Sequence, residues 1–218
     1  MSDEDERDVK QRVTRRGFLK GAGLTAAGAA ILESGLVGAS EGASAAEAPA
    51  PVVVGPGRVA MTIRLNGASR RVEVEPRTTL AEALRFELGL TGTKVVCDRG
   101  SCSACTVWLD GTPVCSCMTL ALDAAGRGVT TIEGLADGET LHPVQEAFIE
   151  YDATQCGFCT PGMIMSCAAL LRKNADPTLE EVKTATSGNL CRCGTYPKVF
   201  EATLAAARQS GGKKGAAE

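Results

Sequence analysis

The sequence predicts an α+β protein in which a small β-grasp domain precedes a small all-helical domain. Short alternating strand segments with hairpin turns fill the first half of the chain after residue 57, and helical apolar spacing fills the second half. The 218 residues are 44% hydrophobic and 22% charged, which is ordinary for a soluble globular protein. A net charge of −3 with scattered basic residues argues against nucleic-acid binding.

Ahead of these domains, residues 1–45 are predicted to be an export signal. Arg15 and Arg16 precede Phe-Leu-Lys, a Gly/Ala-rich apolar run over 21–32 and an Ala-Ser-Ala cleavage site at 43–45. The run is shorter than the roughly 20 apolar residues that span a bilayer, so we expect no stable membrane span. The pattern is typical of a twin-arginine signal and predicts a periplasmic protein, with a basic amphipathic N-terminus as the alternative. Residues 46–57 are predicted to be a linker.

The first domain is predicted over residues 58–133. Two strands, 59–65 and 71–75, are joined by the hairpin signal Asn66-Gly67, and strands 106–109 and 112–114 form a second hairpin. Between these hairpins a helix places apolar residues on one face. The helix is capped by Thr78 or Thr79, is ended by Gly89 and buries Leu80, Ala83, Leu84 and Leu88.

Residues 134–209 are predicted to form the helical domain. Apolar residues recur there with a period near 3.6, and the Gly/Lys-rich tail over 210–218 is predicted to be disordered. The predicted helices cover 143–152, 162–173, 179–187 and 197–209.

Ten cysteines raise the question of what they hold. Four residues separate Cys97 from Cys102, two separate Cys102 from Cys105, and eleven separate Cys105 from Cys117. This is the plant-type [2Fe–2S] spacing, in which three thiolates from one loop meet a fourth from a neighbouring segment. Zinc is the alternative, although its sites usually combine two C-x2-C hooks. Cys115 shares an extended face with Cys117, so the spacing alone leaves the fourth ligand open.

A second group of cysteines lies in the helical half. Cys156 and Cys159 form a C-x2-C hook, 31 residues separate Cys159 from Cys191, and Cys193 lies two positions after Cys191. Both pairs are predicted to lie at helix ends, where helix N-termini offset the negative charge of a cluster. By themselves they fit zinc, disulfides or [2Fe–2S], but the single histidine, His142, excludes a Rieske centre. Cys167 is interpreted as a buried apolar residue.

The two cysteine groups in this order resemble those of a known family. Together with Gln-Cys-Gly-Phe-Cys-Thr-Pro-Gly at 155–162 and Ser-Gly-Asn-Leu-Cys-Arg-Cys-Gly-Thr-Tyr at 187–196, they resemble the iron–sulfur subunit of xanthine oxidase family molybdenum hydroxylases. The likeness runs from about Val59 to Arg208. With the export signal, the chain is most similar to the iron–sulfur subunit of periplasmic aldehyde oxidoreductases.

This resemblance implies a plant-type ferredoxin domain followed by a four-helix domain, each holding one [2Fe–2S] cluster. It implies that Gln155 and Cys193 approach a molybdopterin held by a partner, and it favours Cys117 over Cys115. Ser103 departs from the family, which usually has glycine there. The implied ligands are Cys97, Cys102, Cys105 and Cys117 for the first cluster, and Cys156, Cys159, Cys191 and Cys193 for the second, nearer molybdenum.

The implied function is a one-electron relay. A molybdenum-pterin large subunit oxidises an aldehyde, and the electrons leave through this chain to an FAD subunit or a cytochrome c. N-heterocycles such as isoquinoline, nicotinate or xanthine are the alternative substrates, and a self-standing periplasmic ferredoxin is the alternative function. We predict no catalytic residue in this chain, because it contains no Ser/His/Asp set and no phosphate-binding loop.

Overall fold

The computed structural model of the chain describes the backbone of residues 55–214 and the side chains of residues 55–209. The twin-arginine segment, its cleavage site and most of the predicted linker therefore lie outside the described residues. Within residues 55–214, none of the helices combines the length and the apolar composition needed to cross a membrane.

A five-stranded mixed sheet opens the described chain. β1 (Val59–Leu65) and β2 (Ala68–Val74) pair antiparallel through the predicted turn, in which Asn66 and Gly67 have φ of 49° and 82°. Turns with positive φ at both central residues match the twist of paired strands, which is why Asn-Gly predicts a hairpin. β2 starts earlier than predicted, because the pairing continues to Leu65 opposite Ala68.

The second hairpin and one further strand complete the sheet. β3 (Thr106–Leu109) pairs antiparallel with β4 (Thr112–Cys115), as predicted. β5 (Gly128–Thr130) was not predicted; it pairs parallel with β1 and antiparallel with β3. With three residues it is too short for an alternating pattern to reveal it. The strand order β2-β1-β5-β3-β4 confirms the β-grasp prediction.

Helix α1 packs against this sheet. It begins as a short α-helix, Leu80–Glu82, and continues as a π-helical turn, Ala83–Glu87. Thr79 is the N-cap: its hydroxyl accepts a hydrogen bond from the Glu82 N–H at 3.2 Å, and the Glu82 carboxylate accepts one from the Thr79 N–H at 2.8 Å. This reciprocal capping box selects Thr79 over Thr78 as the helix start. The predicted apolar face is confirmed, with Leu80, Ala83 and Leu84 buried and Leu88 packed against them.

Within the described part of the chain, four α-helices follow the sheet, as predicted. The first two are introduced by His142 and Cys159, respectively, and each has proline in its first turn. The last helix runs to Lys214, five residues beyond its predicted end at residue 209. The helices are α2 (Pro143–Glu150), α3 (Thr160–Lys173), α4 (Leu179–Thr186) and α5 (Tyr196–Lys214).

Trp108 joins the sheet to the helices. It is the only tryptophan in the sequence, and it projects from β3 into the buried cluster built mainly by the helices. Its indole Nε1–H donates a buried hydrogen bond to the Met165 carbonyl at 2.9 Å, and the Arg172 guanidinium lies 4.8 Å from the ring centre. The rest of this helical core is rich in alanine and methionine, which explains how so few aromatic residues suffice.

Candidate metal centres

The four predicted ligands of the first cluster lie in two segments of the first half of the described chain. Cys97, Cys102 and Cys105 lie in the loop between α1 and β3, and Cys117 lies in a short 3-10 turn, Ser116–Met118, that follows β4. The side chains of Cys97 and Cys102 interact directly, and so do those of Cys105 and Cys117. We call these four residues the first thiol set. They form two pairs, as expected for a [2Fe–2S] cluster whose two irons each take two cysteines.

The loop around the first thiol set is shaped by positive φ angles. Asp98, Gly100 and Ser103 have φ of 53°, 72° and 53°. The turn at Gly100 directs its N–H to the Cys117 sulfur at 3.3 Å. Backbone N–H groups that face the sulfurs are suited to a negatively charged cluster, since they stabilise thiolate ligands.

The thiol pKa values within the first thiol set are shifted in different directions. Hydrogen bonds from the backbone N–H of Arg99 and from the Cys102 side chain lower the pKa of Cys97 to about 7. Burial raises the pKa of both Cys102 and Cys105. These two sulfurs would need the attraction of a metal to be deprotonated, because a thiolate without a partner is costly in an apolar site.

Cys115 lies close to this set but points elsewhere. Its Sγ is 3.6 Å from the Ser103 hydroxyl and donates to the Gly100 carbonyl at 3.9 Å. Cys117, by contrast, is buried, interacts with Cys105 and accepts the Gly100 N–H. The geometry therefore supports Cys117 as the fourth ligand, which the spacing alone had left open.

The four remaining predicted ligands meet at the ends of two helices. Cys159 is the N-cap of α3, which begins two residues before the predicted start, with Pro161 in its first turn. Cys191 and Cys193 lie in the loop before α5. Cys159 interacts with Cys191, and Cys156 interacts with Cys193. We call these residues the second thiol set; again there are two pairs, with helix N-termini beside them.

Hydrogen bonds hold the Cys191 loop in shape. The Tyr196 hydroxyl accepts from the Cys191 N–H at 2.8 Å and donates to the Asn189 carbonyl at 3.1 Å. Burial raises the pKa of Cys191, but bonds from the side chain and N–H of Thr195 outweigh it and lower the pKa to about 7. Burial, together with the neighbouring Cys191, raises the pKa of Cys159 to about 12.

The two thiol sets differ in their access to solvent. Cys102, Cys105 and Cys117 of the first set are buried, whereas Cys156 and Cys193 of the second set are exposed. Gln155, which precedes Cys156, is exposed at the same edge. The second thiol set therefore lies at the surface, as its predicted approach to a partner's cofactor requires.

Cys167 belongs to neither thiol set. Cys167 lies in the core of the helical part, and burial raises the pKa of its thiol to about 12, which supports its interpretation as an apolar residue.

Among the described residues, no three or more His, Cys, Asp or Glu side chains gather around one point as they would for a single metal ion. The all-thiol pairs nevertheless fit a two-iron cluster, whose ligands attach to separate irons.

Contacts between the two cysteine loops were not predicted. The Leu190 N–H donates to the Cys102 carbonyl at 3.0 Å, and the Asn189 side chain donates to the Ser103 carbonyl at 3.1 Å. The α-carbon of Gly162 approaches the same carbonyl so closely that a Cβ would lie 2.2 Å from its oxygen. Residues 188–190 belong to the motif before Cys191, but nothing in the spacing indicates what they contact.

Comparison with known proteins gives two family matches. Residues 63–136 match the model of a 2Fe-2S iron-sulfur cluster binding domain, and residues 131–204 match that of a [2Fe-2S] binding domain. The first contains the first thiol set, and the second contains the second thiol set.

Individual relatives cover most of the chain. The nicotine 6-hydroxylase small subunit of Paenarthrobacter nicotinovorans is 50% identical over 72% of this chain and 95% of its own length. The aldehyde oxidoreductase iron-sulfur-binding subunit of Escherichia coli O157:H7 is 40% identical over 87% of this chain and 86% of its own length. Among solved structures, quinoline 2-oxidoreductase from Pseudomonas putida 86 matches with a TM-score of 0.68 and 43% identity, over 70% of this chain and 96% of that chain.

Proposed function

This chain belongs to the iron–sulfur subunits of the xanthine oxidase family of molybdenum hydroxylases, and we propose that it relays electrons from a molybdopterin subunit that oxidises an aldehyde. The chain is thus an electron-transfer subunit of an oxidoreductase and carries two [2Fe–2S]-binding domains. The observation that carries the proposal is the arrangement of eight cysteines as two sets of paired thiols. The first set is mostly buried, and the second set has two exposed members.

The proposal assigns each thiol to a cluster. When bound, each cluster supplies one-electron redox chemistry, which suits a chain that passes on the two electrons of an oxidation one at a time. The chain provides the sulfur ligands, the N–H groups that face them and the fold that holds the two loops together. The proposed ligands are Cys97, Cys102, Cys105 and Cys117 for the first thiol set, and Cys156, Cys159, Cys191 and Cys193 for the second.

The molybdenum partner is proposed to bind at the exposed edge of the second thiol set. Phe158 and Leu190, each next to a thiol ligand, are 59% and 56% exposed, and Gln155 and Cys193 are exposed with them. Large apolar side chains exposed beside a redox site favour a protein partner, because burying them removes apolar surface from water. Gln155 and Cys193 are the residues we propose to approach the molybdopterin.

Purification of the native complex tests this function. The wild-type chain is expected to co-purify with a larger, molybdenum-containing subunit and to carry two [2Fe–2S] clusters by iron, sulfide and EPR measurements. Phe158→Glu is expected to reduce the co-purified molybdenum at least tenfold, since it places a charge in the apolar contact. The variant should retain both EPR signals, because Phe158 is exposed and lies outside the described cores.

The matched control is Phe86→Glu, which introduces the same charge on α1, where Phe86 is 76% exposed. It should leave the molybdenum content unchanged. A stable wild-type chain with both clusters and no molybdenum partner would instead support the alternative of a self-standing ferredoxin. Equal molybdenum loss in both variants would refute the proposed docking edge.

The substrate is proposed to be bound by the partner subunit. Relatives of this chain serve both an aldehyde oxidoreductase and enzymes named for nicotine and nicotinate, so the iron–sulfur subunit does not discriminate between these classes. The longer match to the aldehyde oxidoreductase subunit supports aldehydes, and the 50% identity to the nicotine 6-hydroxylase subunit supports N-heterocycles as the second candidate. Oxidation rates of the complex with both classes decide between them, and its flavin content distinguishes an FAD subunit from a cytochrome c as acceptor.

Export by the twin-arginine route is proposed from Arg15 and Arg16. A match that covers 87% of this chain reaches into the first 54 residues, so the likeness to the aldehyde oxidoreductase subunit extends beyond the two cluster-binding domains. Replacing both arginines by lysine keeps the charge but removes the twin-arginine pattern. The variant is expected to accumulate in the cytoplasm with its clusters loaded, measured by fractionation and immunoblotting. Unchanged periplasmic accumulation of the variant would contradict this route.

A further inference from the structure

Ser103 holds an unusual backbone conformation beside a proposed ligand. Its φ of +53° lies in the left-handed region, which a residue with a Cβ rarely adopts. Its carbonyl is fixed from three sides, by the N–H and the hydroxyl of Thr106 at 3.3 and 2.7 Å and by the Asn189 side chain at 3.1 Å. Glycine would adopt this conformation without strain, so a serine at this position indicates that its side chain has a role.

The Ser103 hydroxyl meets Cys115, the half-buried cysteine that belongs to neither thiol set. The Ser103 oxygen and the Cys115 sulfur are 3.6 Å apart. The Cys115 thiol donates to the Gly100 carbonyl at 3.9 Å, so the hydroxyl is the donor in its contact with the sulfur. We call these two residues the Ser103–Cys115 pair.

Gly100 connects this pair to the proposed ligands. Its carbonyl accepts from Cys115, and its N–H donates to the sulfur of Cys117 at 3.3 Å. The peptide bonds on either side of Gly100 are thus held between a thiol that is not a ligand and a thiol that is. A hydrogen bond to a ligand sulfur stabilises the more negative, reduced form of a cluster and so raises its reduction potential.

We propose that the Ser103–Cys115 pair positions the Gly100 N–H against Cys117 and thereby raises the reduction potential of the cluster bound by the first thiol set. Ser103 and Cys115 act here as positioning residues that do not touch iron. This inference rests on the proposed function, because it requires a cluster at that site. It gives Cys115 a role that the eight-ligand assignment does not use.

Redox titration monitored by EPR tests the pair in the assembled complex. Cys115→Ala is expected to shift the midpoint potential of one cluster to a more negative value by about 30 mV, a threefold change in its one-electron equilibrium constant. Ser103→Ala, which removes the hydroxyl, is expected to shift the same signal in the same direction. Cys115→Ser, which keeps a donor, should retain most of the wild-type potential, and the other cluster should not shift in any variant.

The double variant distinguishes a pair from two separate effects. If the residues act together, Ser103→Ala and Cys115→Ala combined shift the potential no further than Cys115→Ala alone. Unchanged potentials in both single variants, additive shifts, or loss of the signal in Cys115→Ala would overturn the proposal. Absence of either cluster from the wild-type protein would refute the proposed function itself, so the two failures are distinguishable.

Discussion

The Cys117→Ala variant is expected to lose one of the two [2Fe–2S] EPR signals completely and to retain about half of the iron and acid-labile sulfide. Cys117 is buried, interacts with Cys105 and accepts the Gly100 N–H, so removal of its sulfur leaves the first thiol set with three ligands. The alanine side chain cannot replace a thiolate, and the buried Cys105 would lose its paired ligand. Iron and sulfide analysis of an anaerobically purified sample, with EPR at two temperatures, measures the loss.

Cys115→Ala is the matched control, because it removes a thiol two residues away in the same segment. Both EPR signals should persist in this variant, with the shift in potential described above. Cys117 does not belong to the second thiol set, so the EPR signal of the cluster bound there should be unchanged in Cys117→Ala. Loss of a signal in Cys115→Ala together with retention of both in Cys117→Ala would reverse the ligand assignment.

These two variants test which cysteine is the fourth ligand, a choice that the sequence alone left open. The spacing of Cys97, Cys102 and Cys105 predicts a cluster loop because three thiols within nine residues can reach two irons only from one tight turn. It could not separate Cys115 from Cys117, since residues two apart on a strand share a face. The structure separates them because β4 ends at Cys115 and a 3-10 turn begins at the next residue, which rotates Cys117 inward.

The parts of the fold that depend on contacts between residues distant in the chain could not be predicted from the sequence. The hairpin at Asn66-Gly67 and the capped helix α1 follow from neighbouring residues, and both are confirmed. β5 is held by long-range pairing with β1 and β3, and its three residues carry no pattern of their own. The helix α5 runs to Lys214, five residues beyond its predicted end, because the Gly/Lys-rich stretch that follows residue 209 has a low helix propensity and gives no signal from which the end could be predicted.

The contact between the two cysteine loops is the other feature that only the structure provides. The Leu190 N–H donates to the carbonyl of the proposed ligand Cys102, and Leu190 immediately precedes the proposed ligand Cys191. Each cysteine loop therefore helps to hold the other in position. A change that moves the two loops apart should affect both thiol sets. Gly162, in the first turn of α3, lies at the closest point of this contact.

Gly162→Ala is expected to destabilise the protein and to reduce cluster loading at both thiol sets, more at the second than at the first. The added Cβ would lie 2.2 Å from the Ser103 carbonyl oxygen and 3.0 Å from that of Ala104, and both are backbone atoms that cannot rotate away. Forcing a methyl group into such a site costs about 1–3 kcal/mol and moves the elements apart. Since α3 begins directly after Cys159, its displacement would shift that ligand relative to Cys191. Thermal unfolding by circular dichroism and iron analysis measure both effects.

Gly188→Ala is the matched control for this close approach. Its added Cβ would meet only the Ser103 hydroxyl, at 3.3 Å, and a hydroxyl can rotate or shift by the small distance required. The Cβ atoms added at the two glycines would thus contact the same residue, Ser103. The one at residue 162 would meet its fixed carbonyl, and the one at residue 188 would meet its movable side chain. We expect Gly188→Ala to keep the wild-type unfolding temperature and both EPR signals. Equal stability of the two variants would show that the cysteine loops yield easily, and would refute the rigid contact on which the Gly162 prediction depends.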